Sequence, residues 1–157
     1  DGIKFYLDIY TQTVLDDEKS LKLNNDFTTL HKPIPQQEVI AKQQEAGILL
    51  FLESINDKNA KIARLSFSTK ITDYLSSGKC ILAVGASDTA PMKYLAQNSA
   101  AITAGSDTEV KEALELILKD TEVVRRYAQS AADVGLKNHN PEQIRNIFNA
   151  VLFKQQI

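Results

Sequence analysis

The stretch of residues 65–85 constrains the fold most, because it passes from a helical pattern to a buried strand within a few residues. Apolar residues recur at helical spacing over residues 68–77, and Gly78 is typical of a helix end. The continuously apolar segment Cys80–Val84 follows at once. Such a run is typical of a strand that is covered on both faces. A helix that leads directly into a buried strand predicts part of a parallel α/β sheet.

The same alternation of strand and helix patterns runs through the rest of the chain. We therefore predict an α/β fold, with a Rossmann-like, mostly parallel sheet, helices on both faces and three closing C-terminal helices. The predicted strands are residues 3–10, 27–30, Ile48–Leu52, Cys80–Val84 and 100–103. The predicted helices are a weak one in 11–25, then Gln36–Glu45, 68–77, 92–97 and most of the chain from residue 107, and a polar loop is predicted at residues 56–61.

The helical patterns also predict which side chains face the core. In Gln36–Glu45, Val39 and Ile40 are expected to point inward. Ser68 is expected as the N-cap of the helix predicted at residues 68–77, and Thr121 or Asp120 as the N-cap of the helix that contains Val123 and Tyr127. In the last helix, Asn140 is expected as the N-cap with Pro141 at the first helical position. The apolar residues expected to face inward along that helix are Ile144, Ile147, Phe148 and Val151.

Composition sets the broad class of the protein. The 157 residues suit a single domain spanning 1–157, with 43% hydrophobic and 24% charged residues. A net charge of −2 gives no basic bias, so we expect no nucleic-acid partner. Cys80 is the only cysteine, which excludes an internal disulfide and favours a reducing, cytoplasmic location. Because the chain begins with Asp rather than Met, we expect it to be a piece of a longer protein.

The start of the predicted helix 68–77 is the best candidate for a binding site. Ser68, Thr69 and Lys70 offer hydroxyl groups, main-chain N–H groups and a positive charge, which suit a phosphate group. Asp73, one turn later, could accept hydrogen bonds from a sugar diol, and Arg64 lies just before the site. The helix follows strand Ile48–Leu52, so its start is expected at the carboxyl edge of the sheet, where α/β folds bind ligands.

These residues resemble the donor-binding segment of family-four-like GT-B glycosyltransferases. The segment 68–83 has the Lys70, Asp73, aromatic, apolar, two small residues and Gly78 of that pattern, followed by an apolar strand. The resemblance extends more loosely over most of the chain. It implies half of a GT-B fold, namely the C-terminal fragment of an enzyme that transfers a sugar from a nucleoside diphosphate sugar to a saccharide or lipid-linked acceptor.

The resemblance also implies roles for individual residues. Lys70 would bind the donor diphosphate, with Ser68 and Thr69 beside it, and Asp73 would bind the donor ribose. The nucleobase would lie near His31, Lys32, Pro33 and Ile34. No metal and no cofactor beyond the donor is expected. The acceptor and any catalytic base would belong to an N-terminal domain absent from this chain, so the fragment alone is expected to be inactive.

Three departures from the family pattern keep other functions open. Leu65 stands where a glutamate is usual, Asp73 where glutamate is usual, and Cys80 where proline is usual. One alternative is a glycosyltransferase-like domain that only binds a partner, and another is a receiver-like signalling module. The expected partners of the full-length enzyme also include a membrane surface, and a second copy could pair through an exposed sheet edge.

Overall fold

The computed structural model describes residues 4–55 and 64–153, apart from the side chains of Glu18 and Leu21. Contacts divide the chain into two compact units, residues 1–42 and 43–157, and each is described by itself. The elements in chain order are β1 (Leu7–Tyr10), α1 (Asp17–Leu23), β2 (Thr28–His31), α2 (Gln36–Glu45), β3 (Ile48–Leu52), α3 (Lys70–Ser76), β4 (Cys80–Val84), α4 (Ala90–Gln97), β5 (Ile102–Ala104), α5 (Asp107–Lys119), α6 (Thr121–Asn138) and α7 (Pro141–Phe153).

The first unit contains a two-stranded parallel sheet. β1 pairs with β2 from Leu7 opposite Thr28 to Tyr10 opposite His31. Between these strands, the Asp16 carboxylate caps α1 by accepting a hydrogen bond from the Lys19 main-chain N–H at 2.8 Å. β1 begins at Leu7 and is therefore shorter than the strand predicted at residues 3–10. Residue 3 lies outside the described residues.

The second unit contains a three-stranded parallel sheet in the order β3-β4-β5. Its register places Ile48 opposite Cys80 and Leu82 opposite Ile102. Every strand pair in both units is parallel, and helices connect the strands, which confirms the predicted α/β fold. The predicted strands Ile48–Leu52 and Cys80–Val84 match β3 and β4.

Helices cover both faces of the three-stranded sheet. On one face, Phe51, Ile81 and Ala83 pack with Ile71 and Leu75 of α3, and α4 and α6 complete this cluster. On the other face, residues of β3, β4 and β5 pack against α5 and the first half of α6. Every residue of β4 is buried, because the helices on both faces remove its apolar side chains from contact with water.

A close contact between α3 and α6 depends on glycine. A β-carbon added at Gly135 would lie 3.0 Å from the carbonyl oxygen of Leu75, closer than such contacts normally allow. Gly135 thus lets α6 approach the end of α3. At that end, Gly78 has a φ of +72°, a left-handed conformation that suits the predicted helix stop.

Several helix caps are where the sequence predicts them. Asp120 caps α6 by accepting from the N–H groups of Glu122 and Val123, each at 3.0 Å. Asn140 caps α7 by accepting from the N–H groups of Glu142 and Gln143, and Pro141 is the first residue of that helix. The predicted cap Ser68, however, is wrong, because α3 begins at Lys70 and Thr69 occupies its N-cap position.

Two predictions of buried side chains are also wrong. Ile40 on α2 is 61% exposed, while Val39 is half-buried, and α2 has no buried residue. On α7, the residues predicted to face inward are 52–67% exposed. Periodicity identifies the apolar side of a helix, but it does not show that another element covers that side. The loop predicted at residues 56–61 lies outside the described residues.

Within the described part of the chain, no helix is both long enough and apolar enough to cross a membrane.

The packing predicts a large loss of stability when a core side chain of α3 is truncated. Leu75 is fully buried, so Leu75→Ala should lower the free energy of unfolding by about 2–5 kcal/mol through lost burial and a cavity. Leu136→Ala on α6 is the control, because Leu136 is 67% exposed and should cost about 0.5 kcal/mol or less. Urea denaturation measures both. Equal effects of the two substitutions would contradict this packing.

Candidate functional site

The carboxyl ends of β3, β4 and β5 meet at one edge of the parallel sheet, and the chain is hydrogen-bonded across this edge. The Glu53 N–H donates to the Val84 carbonyl at 2.8 Å, and the Gly85 N–H donates to the Ala104 carbonyl at 2.9 Å. Because α3 connects two parallel strands, it must run back across the sheet, so its N-terminus lies on the side of this edge. The sequence-predicted site at Ser68–Asp73 therefore begins there.

The first turn of α3 is tight and lacks a side-chain cap. The Ile71 N–H donates to the Ser68 carbonyl at 3.1 Å, and the Thr72 N–H donates to the Thr69 carbonyl at 3.2 Å. Thr69 has helical backbone angles, so its hydroxyl does not cap the turn, since a capping residue normally has extended angles. Among the described residues, the Thr69 and Lys70 N–H groups have no hydrogen-bond partner.

Lys70 and Asp73 both lie on this first turn and are exposed. Opposite charges three residues apart on a helix often form an ion pair, and such a pair would account for both residues without a ligand. Within the described part of the chain, neither side chain forms an ion pair or a side-chain hydrogen bond. Among the described residues, nothing neutralises either charge, and both side chains are exposed.

Arg64 has a local partner. Its guanidinium donates a hydrogen bond to the Asp88 carboxylate, and its carbonyl accepts from the Ala90 N–H at 2.9 Å. The guanidinium holds the pKa of the Asp88 carboxyl below its usual value. Arg64 thus joins the segment before α3 to the loop before α4. A phosphate contact by Arg64 stays a prediction, and it would require the guanidinium to leave or share Asp88.

An aromatic cluster holds the residues just before Ser68. The Phe67 ring packs edge-on against Tyr94, with ring centroids 5.2 Å apart, and stacks near His139 at 6.3 Å. The Tyr94 hydroxyl is 2.8 Å from His139 Nε2 and accepts a hydrogen bond from the Asn138 side chain at 3.0 Å. Phe67 therefore fixes this segment to α4 and to the end of α6. Sequence reasoning missed the cluster because its members are far apart along the chain.

A surface groove of about 620 Å³ runs between α3 and α7. The charged side chains that line it include the Asp73 carboxylate and the Arg145 guanidinium. Lys70 lies on the same helix turn as Asp73 but is not one of the lining residues. The lining residues are Thr72, Asp73, Ser76, His139, Pro141, Ile144, Arg145 and Phe148.

The predicted nucleobase segment belongs to the first unit. His31 ends β2, its Nε2 lies 2.6 Å from an Asp8 carboxylate oxygen, and its ring stacks on Tyr10 with centroids 4.5 Å apart. Lys32 and Pro33 are exposed and Ile34 is half-buried. This unit therefore offers a stacked aromatic pair at the carboxyl ends of its own two strands.

Cys80 is a core residue, as the sequence predicts. It is 1% exposed at the start of β4, and burial raises its pKa to about 11. A thiol with that pKa is protonated at neutral pH, so it does not act as a nucleophile. Among the described residues, no three His, Cys, Asp or Glu side chains form a group that could hold a metal ion.

Comparison with known proteins gives no independent evidence for the roles predicted for these residues. No protein-family model matches the chain, and no curated protein matches it with statistical significance.

The Arg64–Asp88 contact predicts a shift that can be measured at one carboxyl group. Arg64→Gln should return the pKa of Asp88 toward its ordinary value, because the positive charge that stabilises the carboxylate is lost. In the original protein, stability from this pair is complete above the ordinary carboxyl pKa and disappears as pH falls through the lowered one. A carboxyl-detected NMR titration checks this, and an unchanged Asp88 pKa in the variant would contradict the contact.

Proposed function

We propose that this chain is the donor-binding part of a glycosyltransferase that uses a nucleoside diphosphate sugar. The observation that carries the proposal is the exposed Lys70, which has no ion-pair partner among the described residues and lies on an uncapped helix turn at the carboxyl edge of a parallel sheet. A fixed positive charge and free N–H groups suit a diphosphate. The resemblance of residues 68–83 to the donor-binding segment of GT-B enzymes supports the same assignment.

In the proposed reaction, the diphosphate leaves as the sugar moves to its acceptor. Negative charge on the departing phosphate increases in the transition state, so the Lys70 ammonium would stabilise it more strongly there than in the bound donor. The N–H groups of Thr69 and Lys70 and the hydroxyl of Ser68 would hold the same oxygens. No metal is required in this proposal, because the protein itself supplies the positive charge.

The remaining roles are assigned to neighbouring residues. The Asp73 carboxylate would accept hydrogen bonds from the donor ribose, which only an ionised, unpaired carboxylate can do with both oxygens. The assignment of the nucleobase to the segment His31 to Ile34 stays an implication of the resemblance. The acceptor and any catalytic base are assigned to a domain outside this chain, so the chain alone should bind donor without transferring sugar.

The proposal includes a cytoplasmic enzyme. Cys80 has no disulfide partner in the sequence, which accords with a reducing compartment. If the acceptor is linked to a lipid, the full-length enzyme would contact a membrane surface. For a saccharide acceptor, no membrane contact is proposed.

One observation favours a second candidate, a domain that binds a partner without transferring sugar. Leu65, which stands where the family pattern has a sugar-contacting glutamate, is 91% exposed and apolar. An apolar side chain at that place cannot accept a hydrogen bond from the donor sugar. Transfer activity of the full-length protein that survives Leu65→Ala and is lost in Lys70→Ala would reject this second candidate.

Calorimetric titration with UDP, GDP, ADP and CMP tests the diphosphate assignment. One of the diphosphates should bind, and Lys70→Ala should weaken it by roughly tenfold to a hundredfold, since a charged hydrogen bond contributes about 1.5–3 kcal/mol. Lys111→Ala on α5 is the matched control, because Lys111 is also an exposed helix lysine. Equal affinity in Lys70→Ala and Lys111→Ala would contradict the assignment.

A separate titration tests the ribose role of Asp73. With the original protein, the preferred diphosphate should bind more tightly than its 2′-deoxy form. Asp73→Asn should reduce this preference, because the neutral amide accepts hydrogen bonds from the diol less strongly. The difference between the two ligands is measured within each variant, so general weakening does not count. An unchanged preference in Asp73→Asn would place the ribose elsewhere.

A further inference from the structure

Glu53 lies at the carboxyl edge of the three-stranded sheet, on the face that α3 covers. The Glu53 N–H donates to the Val84 carbonyl, so the strand ladder continues to this residue. Phe51 and Ala83 pack with α3, and successive side chains of a strand point to opposite faces. Glu53 and Gly85, each two residues further along, therefore point to the α3 face. Because α3 begins at this edge, Glu53 and the first turn of α3 lie at the same corner of the sheet.

Gly85 leaves the space in which the Glu53 side chain begins. A β-carbon added at Gly85 would lie 2.7 Å from the Glu53 β-carbon and 3.4 Å from the Met92 Cγ atom. The first of these distances is shorter than real β-carbons show, so a larger residue at position 85 would displace Glu53. The first atoms of the Glu53 side chain therefore lie over the end of β4, on the side of the sheet where α4 packs.

The Glu53 carboxylate differs from the other carboxylates near this edge. Asp88 accepts a hydrogen bond from Arg64, and Glu109 accepts one from the Gly105 N–H at 2.6 Å. Glu53 is half-buried, and within residues 4–55 and 64–153 its carboxylate forms no hydrogen bond and no ion pair. Of these three carboxylates, Glu53 is therefore the one whose oxygens have no partner in that part of the chain.

We propose that the Glu53 carboxylate accepts hydrogen bonds from hydroxyl groups of the donor sugar, and that the site therefore selects neutral hexoses over sugars that carry a carboxylate. This inference rests on the proposed function, in which the diphosphate binds at the first turn of α3. The sugar is joined to that diphosphate, and Glu53 lies at the same corner of the sheet. An ionised carboxylate only accepts hydrogen bonds and repels other anions, so it suits hydroxyl groups and disfavours a second carboxylate.

Calorimetric titration with three ligands tests the sugar contact: the nucleoside diphosphate that binds best, its hexose conjugate and its hexuronate conjugate. The original protein should bind the hexose conjugate about tenfold more tightly than the hexuronate conjugate, since a hydrogen bond to a charged group is replaced by repulsion. Glu53→Gln should bring the two affinities close together and leave the affinity for the diphosphate alone unchanged. Glu112→Gln is the control, because it removes the same charge from an exposed position on α5.

Gly85→Ala tests the placement of the carboxylate with its charge retained. The added β-carbon should displace Glu53, so this variant too should lose preference for the hexose conjugate while it still binds the diphosphate. If the diphosphate binds but the preference is absent, is unchanged in Glu53→Gln, or falls equally in Glu112→Gln, the sugar contact is overturned and the proposed function stands. If no nucleoside diphosphate binds the original protein, the proposed function is rejected, and this inference with it.

Discussion

The structure of residues 43–157 depends on the complete burial of β4. Its five residues are all buried, both of its edges are hydrogen-bonded, and its side chains enter both apolar clusters. A backbone buried in this way must have its polar groups paired, which requires a strand on each side. The positions of β3, β5 and the helices on the two faces follow from that requirement, and so does the edge at which the candidate site lies.

The predictable part of the fold is the part where local sequence and burial agree. Cys80–Val84 and Ile48–Leu52 are apolar throughout and become strands with the predicted bounds. Asp120 and Asn140 are caps that act through neighbouring N–H groups, so they too can be read locally. Ile40 and Phe148 belong to apolar helix faces that no described element covers, and coverage depends on partners that periodicity does not identify.

The candidate site divides in the same way. The placement of Lys70 and Asp73 on one helix turn could be predicted, because both lie within a local helical pattern that follows a strand. The Arg64–Asp88 contact and the ring contact of Phe67 with Tyr94 join residues 24 and 27 positions apart, and only the tertiary fold brings them together. The failed cap at Ser68 has a related cause. The chain enters α3 through a tight turn held by these contacts, and helical angles at Thr69 leave the first N–H groups open.

Within the described part of the chain, Lys70 has no ion-pair partner and the N–H groups of Thr69 and Lys70 have no hydrogen-bond partner, so the proposed function is tested most directly at this helix turn. The most direct measurement is amide NMR mapping of the chain with the nucleoside diphosphate that binds best. The largest shifts should fall on the N–H groups of Thr69 and Lys70 and should be absent with the free nucleoside. Shifts confined to the groove residues Ile144 and Phe148, or equal shifts with the nucleoside alone, would contradict a diphosphate site at this helix turn.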